Sequence, residues 1–142
     1  MLIRLKYGAD GQEKINEINP VRPGPRGKMS LSRPSILVVK SARTLTLYDG
    51  PSQFRSYPVA IGKPSTPTPS GNFAIATKIM NPGGILGTRW LGLTLPNYGI
   101  HGTPFPWTIG QMASLGCIRM HNSHVEEVFA LVNLGTPVLI RD

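Results

Sequence analysis

A chain of 142 residues, 40% hydrophobic and 15% charged, has room for one domain with a real core. Its one cysteine excludes an internal disulfide and any multi-thiolate metal site, and no window holds the roughly 18 consecutive apolar residues of a membrane span. The net charge of +8 favours anionic partners, yet seven Lys/Arg against three acids in residues 1–34, and eight against four thereafter, spread that charge evenly; with no Arg/Lys-rich helix or aromatic strand pattern, no nucleic-acid partner is expected.

Met1 to Tyr7 is too short and too charged for the apolar region of a signal peptide. Residues 1–34 read as a basic, Pro/Gly-rich extension or linker, because Pro20-Val21-Arg22-Pro23-Gly24-Pro25 cannot hold a helix or an inner strand. Within it, Gln12 to Ile18 has the pattern of one or two helical turns. From residue 35 to 142 the pattern is that of a strand-rich domain. Ile36 to Val39 is apolar throughout, Thr44 to Tyr48 alternates with period two, and Asp49-Gly50-Pro51 turns the chain into a third strand over Gln53–Ile61. These three are expected to form an antiparallel meander.

Three prolines stiffen the loop from Gly62 to Gly71, which leads to a strand over Asn72–Ile79. A loop opening at Asn81-Pro82-Gly83-Gly84 precedes a strand over Trp90–Leu95. Thr108–Ala113 reads as a short helix capped by Thr108, and Cys117–Met120 as a strand. One longer helix is expected over Ser123–Val132, with a capping box of Ser123 and Glu126 and an apolar face of Val125, Val128, Phe129 and Val132. Gly135-Thr136-Pro137 ends it, and Val138–Ile140 closes the sheet. The fold class is therefore mainly β, a β-sandwich or open barrel of about eight strands with one packed α-helix.

Between Asp49 and Glu126 there is no acidic residue. That interval disfavours paired-carboxylate glycosidase chemistry, hard-metal sites and a serine nucleophile served by a carboxylate-oriented histidine. What remains is Cys117 with His101, sixteen residues apart: the imidazole takes the thiol proton while a third group holds the ring. With no acid nearby in sequence, the Gly102 carbonyl is the local candidate for that third group. The imidazole is expected to lower the thiol pKa towards neutrality. Gly116 allows close backbone approach, and the N–H groups around Gly116 and Cys117 offer an oxyanion site. Strand alternation places Arg119 on the face of Cys117. A zinc site would need Cys117, His101, His121 and His124 together; His124 lies past the helix cap, so no metal is expected.

His101-Gly102-Thr103-Pro104 and Ser114-Leu115-Gly116-Cys117-Ile118-Arg119-Met120-His121-Asn122 resemble the catalytic motifs of the L,D-transpeptidase (YkuD-like) family. The likeness begins near Leu37. It continues through Tyr57-Pro58-Val59-Ala60-Ile61-Gly62-Lys63, Thr66 to Phe73, Asn81-Pro82-Gly83-Gly84 and Trp90-Leu91-Gly92-Leu93 to Gly135-Thr136-Pro137-Val138. The resemblance implies a mostly β domain whose Cys117 attacks a peptidoglycan tetrapeptide stem. A thioester forms, and a second stem's amine resolves it into a 3→3 cross-link. It implies His101 as base, Gly116 and Gly102 as backbone elements of the site, and Arg119, Ser114 and Thr103 as substrate contacts. Water as acceptor would make an L,D-carboxypeptidase, a free D-amino acid an exchange enzyme, and loss of chemistry a silent wall-binding module. The resemblance further implies covalent inhibition by carbapenem-type β-lactams, no cofactor, and a place in the cell wall or periplasm. It carries no statement of oligomeric state. Two departures stand out: His124 occupies a position the family usually fills with an acid, and residues 1–34 match nothing in it.

Overall fold

The structure, a computed structural model, describes residues 30–142. β1 (Pro34–Val39) and β2 (Thr44–Asp49) form where aliphatic and β-branched residues dominate. Ile36, Val38, Leu45 and Leu47 turn to one side and are at most 2% exposed. Arg43, at φ 51°, lies in the turn from β1 to β2, and Gly50, at φ 58°, in the turn from β2 to β3 (Ser52–Pro58). The three strands pair antiparallel, as the expected meander.

The strand read over Gln53–Ile61 is in fact two pieces. Pro58 has no N–H to continue a ladder, and the Val59 N–H turns to the Arg43 carbonyl at 3.0 Å. β4 (Ile61–Gly62) then pairs in parallel with β8 (Met112–Ser114). The remaining strands are β5 (Gly71–Met80), β6 (Arg89–Leu93), β7 (Gly99–His101), β9 (Ile118–Arg119) and β10 (Pro137–Arg141).

Eight of these strands form one sheet in the order β3-β2-β1-β10-β5-β6-β7-β9. β10 lies parallel to β1 and antiparallel to β5, and joins the meander to the second half. The two edges of the sheet meet. Ala60, just past β3, exchanges two backbone hydrogen bonds with Arg119 in β9, at 2.8 and 2.9 Å. Of the two architectures the sequence allowed, this is the open barrel, and the exchange hides polar edges that would otherwise template further pairing.

α1 (Asn122–Leu131) packs on β6 and β7 and buries Val125, Val128 and Leu131. Each such side chain stabilises the fold by about 1.5–3 kcal/mol. The capping box is not formed: the cap residue is His121, with no side-chain cap bond, and Ser123 lies inside the first turn. Nor is Thr108–Ala113 a helix. Pro106–Thr108 makes a single 3-10 turn, Gly110 at φ 92° breaks it, and Met112 to Ala113 already belong to β8. The helical turns expected over Gln12–Ile18, and most of the 1–34 extension, lie outside the described residues.

Candidate active site

β7 and β9 run parallel, with Ile100 beside Ile118 and His101 beside Arg119. The two isoleucines are at most 1% exposed and face the core. Alternation therefore turns His101 and Arg119 to the opposite face, and Cys117 lies in the bend that leads into β9. Trp90 in β6 extends that row: it is the register partner of His101, and the two rings stack with centroids 5.9 Å apart at 24°.

His101 is 4% exposed. Its Nδ1 lies 2.5 Å from the Gly102 carbonyl. A carbonyl only accepts, so Nδ1 carries the proton and donates, which leaves Nε2 bare as a base. The backbone group expected from the acid-free sequence does hold the ring. Burial pushes the imidazole below its ordinary pKa; the Gly102 bond opposes this, and the Arg119 charge adds to it.

Cys117 is half-buried, and its thiol donates to the Asn97 carbonyl at 3.7 Å. Burial pushes the thiol pKa up, against the Gly99 N–H and the Arg119 charge, which pull it down. Burial thus favours the uncharged form of both groups, the opposite direction to the lowering of the thiol pKa expected from the imidazole. Arg119 acts on both groups, so the three share one electrostatic neighbourhood.

The turn that presents the cysteine is built by Ser114 and Gly116. Ser114 Oγ donates to the Cys117 carbonyl at 2.6 Å and accepts the Gly116 N–H at 3.0 Å. Gly116 sits at φ 123°, where a Cβ would come 2.7 Å from the Tyr98 ring, so the position requires glycine. Of the N–H groups expected to face an oxyanion, that of Gly116 is engaged within the turn. Ser114, read as a substrate contact, is 2% exposed and braces the turn. Thr103 is likewise 2% exposed, with its hydroxyl accepting the Phe105 N–H at 2.9 Å, so it shapes the loop after His101. Arg119 Nη1 donates to Thr108 Oγ1 at 3.1 Å, while its buried Nε has no acceptor among the described residues.

Among the described residues no three His, Cys, Asp or Glu side chains gather as a metal cluster. His121 and His124 instead pack edge to face at 5.1 Å, with His124 also 5.1 Å from the Tyr57 ring. Trp90, Thr108 and Asn97 were read only as strand, cap and turn residues, and not as neighbours of His101, Arg119 and Cys117. Only Asn97, after a proline and at φ 71°, carried a local signal of its turn.

The family model of the L,D-transpeptidase catalytic domain matches residues 33–140. Two relatives bear the L,D-transpeptidase name. YkuD of Bacillus licheniformis is 48% identical over 139 residues, covering 98% of this chain and 84% of that protein. YkuD of Bacillus subtilis (strain 168) is 48% identical over 105 residues, covering 74% and 64%. Among solved structures, the catalytic domain of the Enterococcus faecium L,D-transpeptidase superposes with a TM-score of 0.67 at 26% identity, covering 78% of this chain and 98% of that one. The L,D-transpeptidase from Mycobacterium smegmatis gives 0.67 at 21% identity, and there the match takes in 77% of this chain but 59% of the other. With motifs, sheet order and these matches all running over the same stretch, the chain belongs to the L,D-transpeptidase catalytic-domain family.

Proposed function

We propose that the chain is a cysteine-dependent L,D-transpeptidase that acts on peptidoglycan tetrapeptide stems at the cell wall and forms 3→3 cross-links. The observation that carries this reading is the Nδ1–Gly102 hydrogen bond, which leaves Nε2 of His101 bare as a base in the electrostatic neighbourhood of Arg119 that Cys117 shares. His101 Nε2 takes the thiol proton as Sγ attacks the carbonyl of the L-centre at stem position three. The tetrahedral oxyanion collapses, the C–N bond to the terminal D-alanine breaks, and the imidazolium returns its proton to the departing amine. A thioester at Cys117 remains. The side-chain amine of a second stem then attacks it while His101 accepts the amine proton; C–S cleavage and return of that proton regenerate the thiol.

In this reading the Cys117 N–H serves the oxyanion. Arg119 binds a stem carboxylate, placed for this by the electrostatic neighbourhood it shares with Cys117 and His101. The neutral resting pair fits a base that acts during the attack, a contribution worth about 10²–10⁴-fold. Incubation with tetrapeptide muropeptides is expected to release D-alanine and to give a thioester mass on Cys117, both lost in Cys117→Ala. Neither product from the wild type would refute the activity. D-alanine release without dimers would point to water as the acceptor. The solved L,D-transpeptidase complex with imipenem suggests the same Cys117 as the site of a carbapenem adduct here, detectable by intact-protein mass spectrometry.

A further inference from the structure

The group that orients His101 is not a side chain but a peptide, and a peptide has two polar ends. The Gly102 carbonyl accepts from His101 Nδ1. The N–H of that same peptide unit belongs to Thr103, and it donates to Asn122 Oδ1 at 2.9 Å. Asn122 Oδ1 also accepts the Thr88 N–H at 3.3 Å. Two N–H donors converge on one atom, which identifies it as the amide oxygen. The oxygen occupies a notch that glycine alone leaves open, since a Cβ on either Gly102 or Gly87 would collide with it. Asn122 itself is the first residue of α1, whose buried face is seated on β6 and β7.

We propose that Asn122 is a positioning residue of the active site: by anchoring the Thr103 N–H it fixes the plane of the Gly102–Thr103 peptide, and through it holds His101 in the tautomer that leaves Nε2 free for Cys117. The peptide bond is planar, so pinning its N–H fixes the direction of its carbonyl. A hydrogen bond accepted from the N–H end also polarises the carbonyl and strengthens the bond at the other end. The chain Asn122–peptide–His101 thus does the work of the carboxylate missing between Asp49 and Glu126, without placing an anion behind the ring. The assignment rests on the transpeptidase reading for its purpose, but its geometry is independent of it.

The test uses the full chain labelled with ¹⁵N, with the imidazole shifts of His101 read at neutral pH and the acylation of Cys117 by a carbapenem followed in parallel. The wild type is expected to show one neutral tautomer, protonated at Nδ1. In Asn122→Ala the ring is expected to populate both tautomers, and the second-order acylation rate to fall about 10- to 100-fold. Asn122→Asp keeps the acceptor, so the Nδ1–H tautomer should persist. The new anion behind the peptide should raise the His101 pKa, with Arg119 the other charge acting on the ring. An Asn122→Ala protein that keeps the single Nδ1–H tautomer overturns the proposal whatever its rate, since Asn122 would then be scaffold alone. If Asn122→Ala does not fold, Asn122→Asp decides: a raised pKa with the tautomer kept supports the proposal, and an unmoved pKa refutes it. Should the wild type fail to react with the carbapenem, the transpeptidase reading falls, while the imidazole shifts still decide the role of Asn122.

Discussion

Burial acts on Cys117 and His101 in opposite directions in pKa and in the same direction in charge: the thiol is pushed up, the imidazole down, and each is held neutral. Cys117 is therefore expected to react with iodoacetamide more slowly at neutral pH than a free cysteine, with the rate climbing only above about pH 8.5. Labelling faster than free cysteine at pH 7 would mean an imidazolium–thiolate pair instead. Histidine burial also sets an acid limit on stability. His101 and His124 both titrate below their ordinary value, His124 through burial first and then through the neighbouring His121. The unfolded chain binds protons at these sites from about pH 6.5 downward while the folded one does not. Their contribution is complete above that pH and is lost as pH falls through the lowered folded values. The urea midpoint should accordingly drop between about pH 7.5 and pH 5.5, and His124→Phe should flatten the drop. A midpoint independent of pH across this window would show that the folded rings bind protons as readily as the unfolded ones.

Between elements, the contact that ties the meander to the helix is polar. Tyr57 at the end of β3 donates to Glu127 Oε1 in α1 at 2.6 Å, and Arg55 Nη1 donates to Oε2 at 2.7 Å. Tyr57 is 2% exposed, and burial followed by the Glu127 charge raises its pKa well above normal, so the hydroxyl stays a donor. Tyr57→Phe should cost about 1.5–3 kcal/mol, the range for a hydrogen bond to a charged group, visible as a lower denaturation midpoint. An unchanged midpoint would mean that water replaces the hydroxyl without loss. The start of α1 shows where local pattern stops being informative. Ser123 and Glu126 have the spacing of a capping box, but the chain arrives from β9 with His121 at the cap position, and Asn122 Oδ1 binds the Thr88 and Thr103 N–H groups. A tertiary demand displaced a local one. Thr108–Ala113 failed for a related reason, because the Ile61 N–H takes the Gln111 carbonyl and β4 draws Met112 to Ser114 into a strand.

For the molecule as a whole, β1 as an apolar run, β2 through its alternation, and β5 and β6 between their Pro- and Gly-marked loops were legible within two residues, since those signals are written locally. The Gly102 carbonyl behind the His101 ring was legible through the missing acids. Illegible was the Ala60–Arg119 closure, which depends on residues brought together only by the curl of the sheet. The domain boundary proposed near residue 34 has a direct test. Leu31 packs on the core and the Arg33 N–H donates to Asp49 Oδ1 at 2.8 Å, so deletion of residues 1–29 retains both contacts. It should leave the melting temperature within a few degrees, less than the ~4 °C shift of a 1 kcal/mol loss; a larger fall would place the extension inside the cooperative unit. The position of β10 has a further consequence, for the order of events during synthesis. Residues 137–141 fill the centre of the sheet, so while the ribosome has released only what precedes them, β1 and β5 each expose an unpaired backbone edge. The meander and the half that bears Cys117 must wait for the same late segment. Until that segment is available the nascent chain carries two open strand edges at once, the form most in need of protection from aggregation.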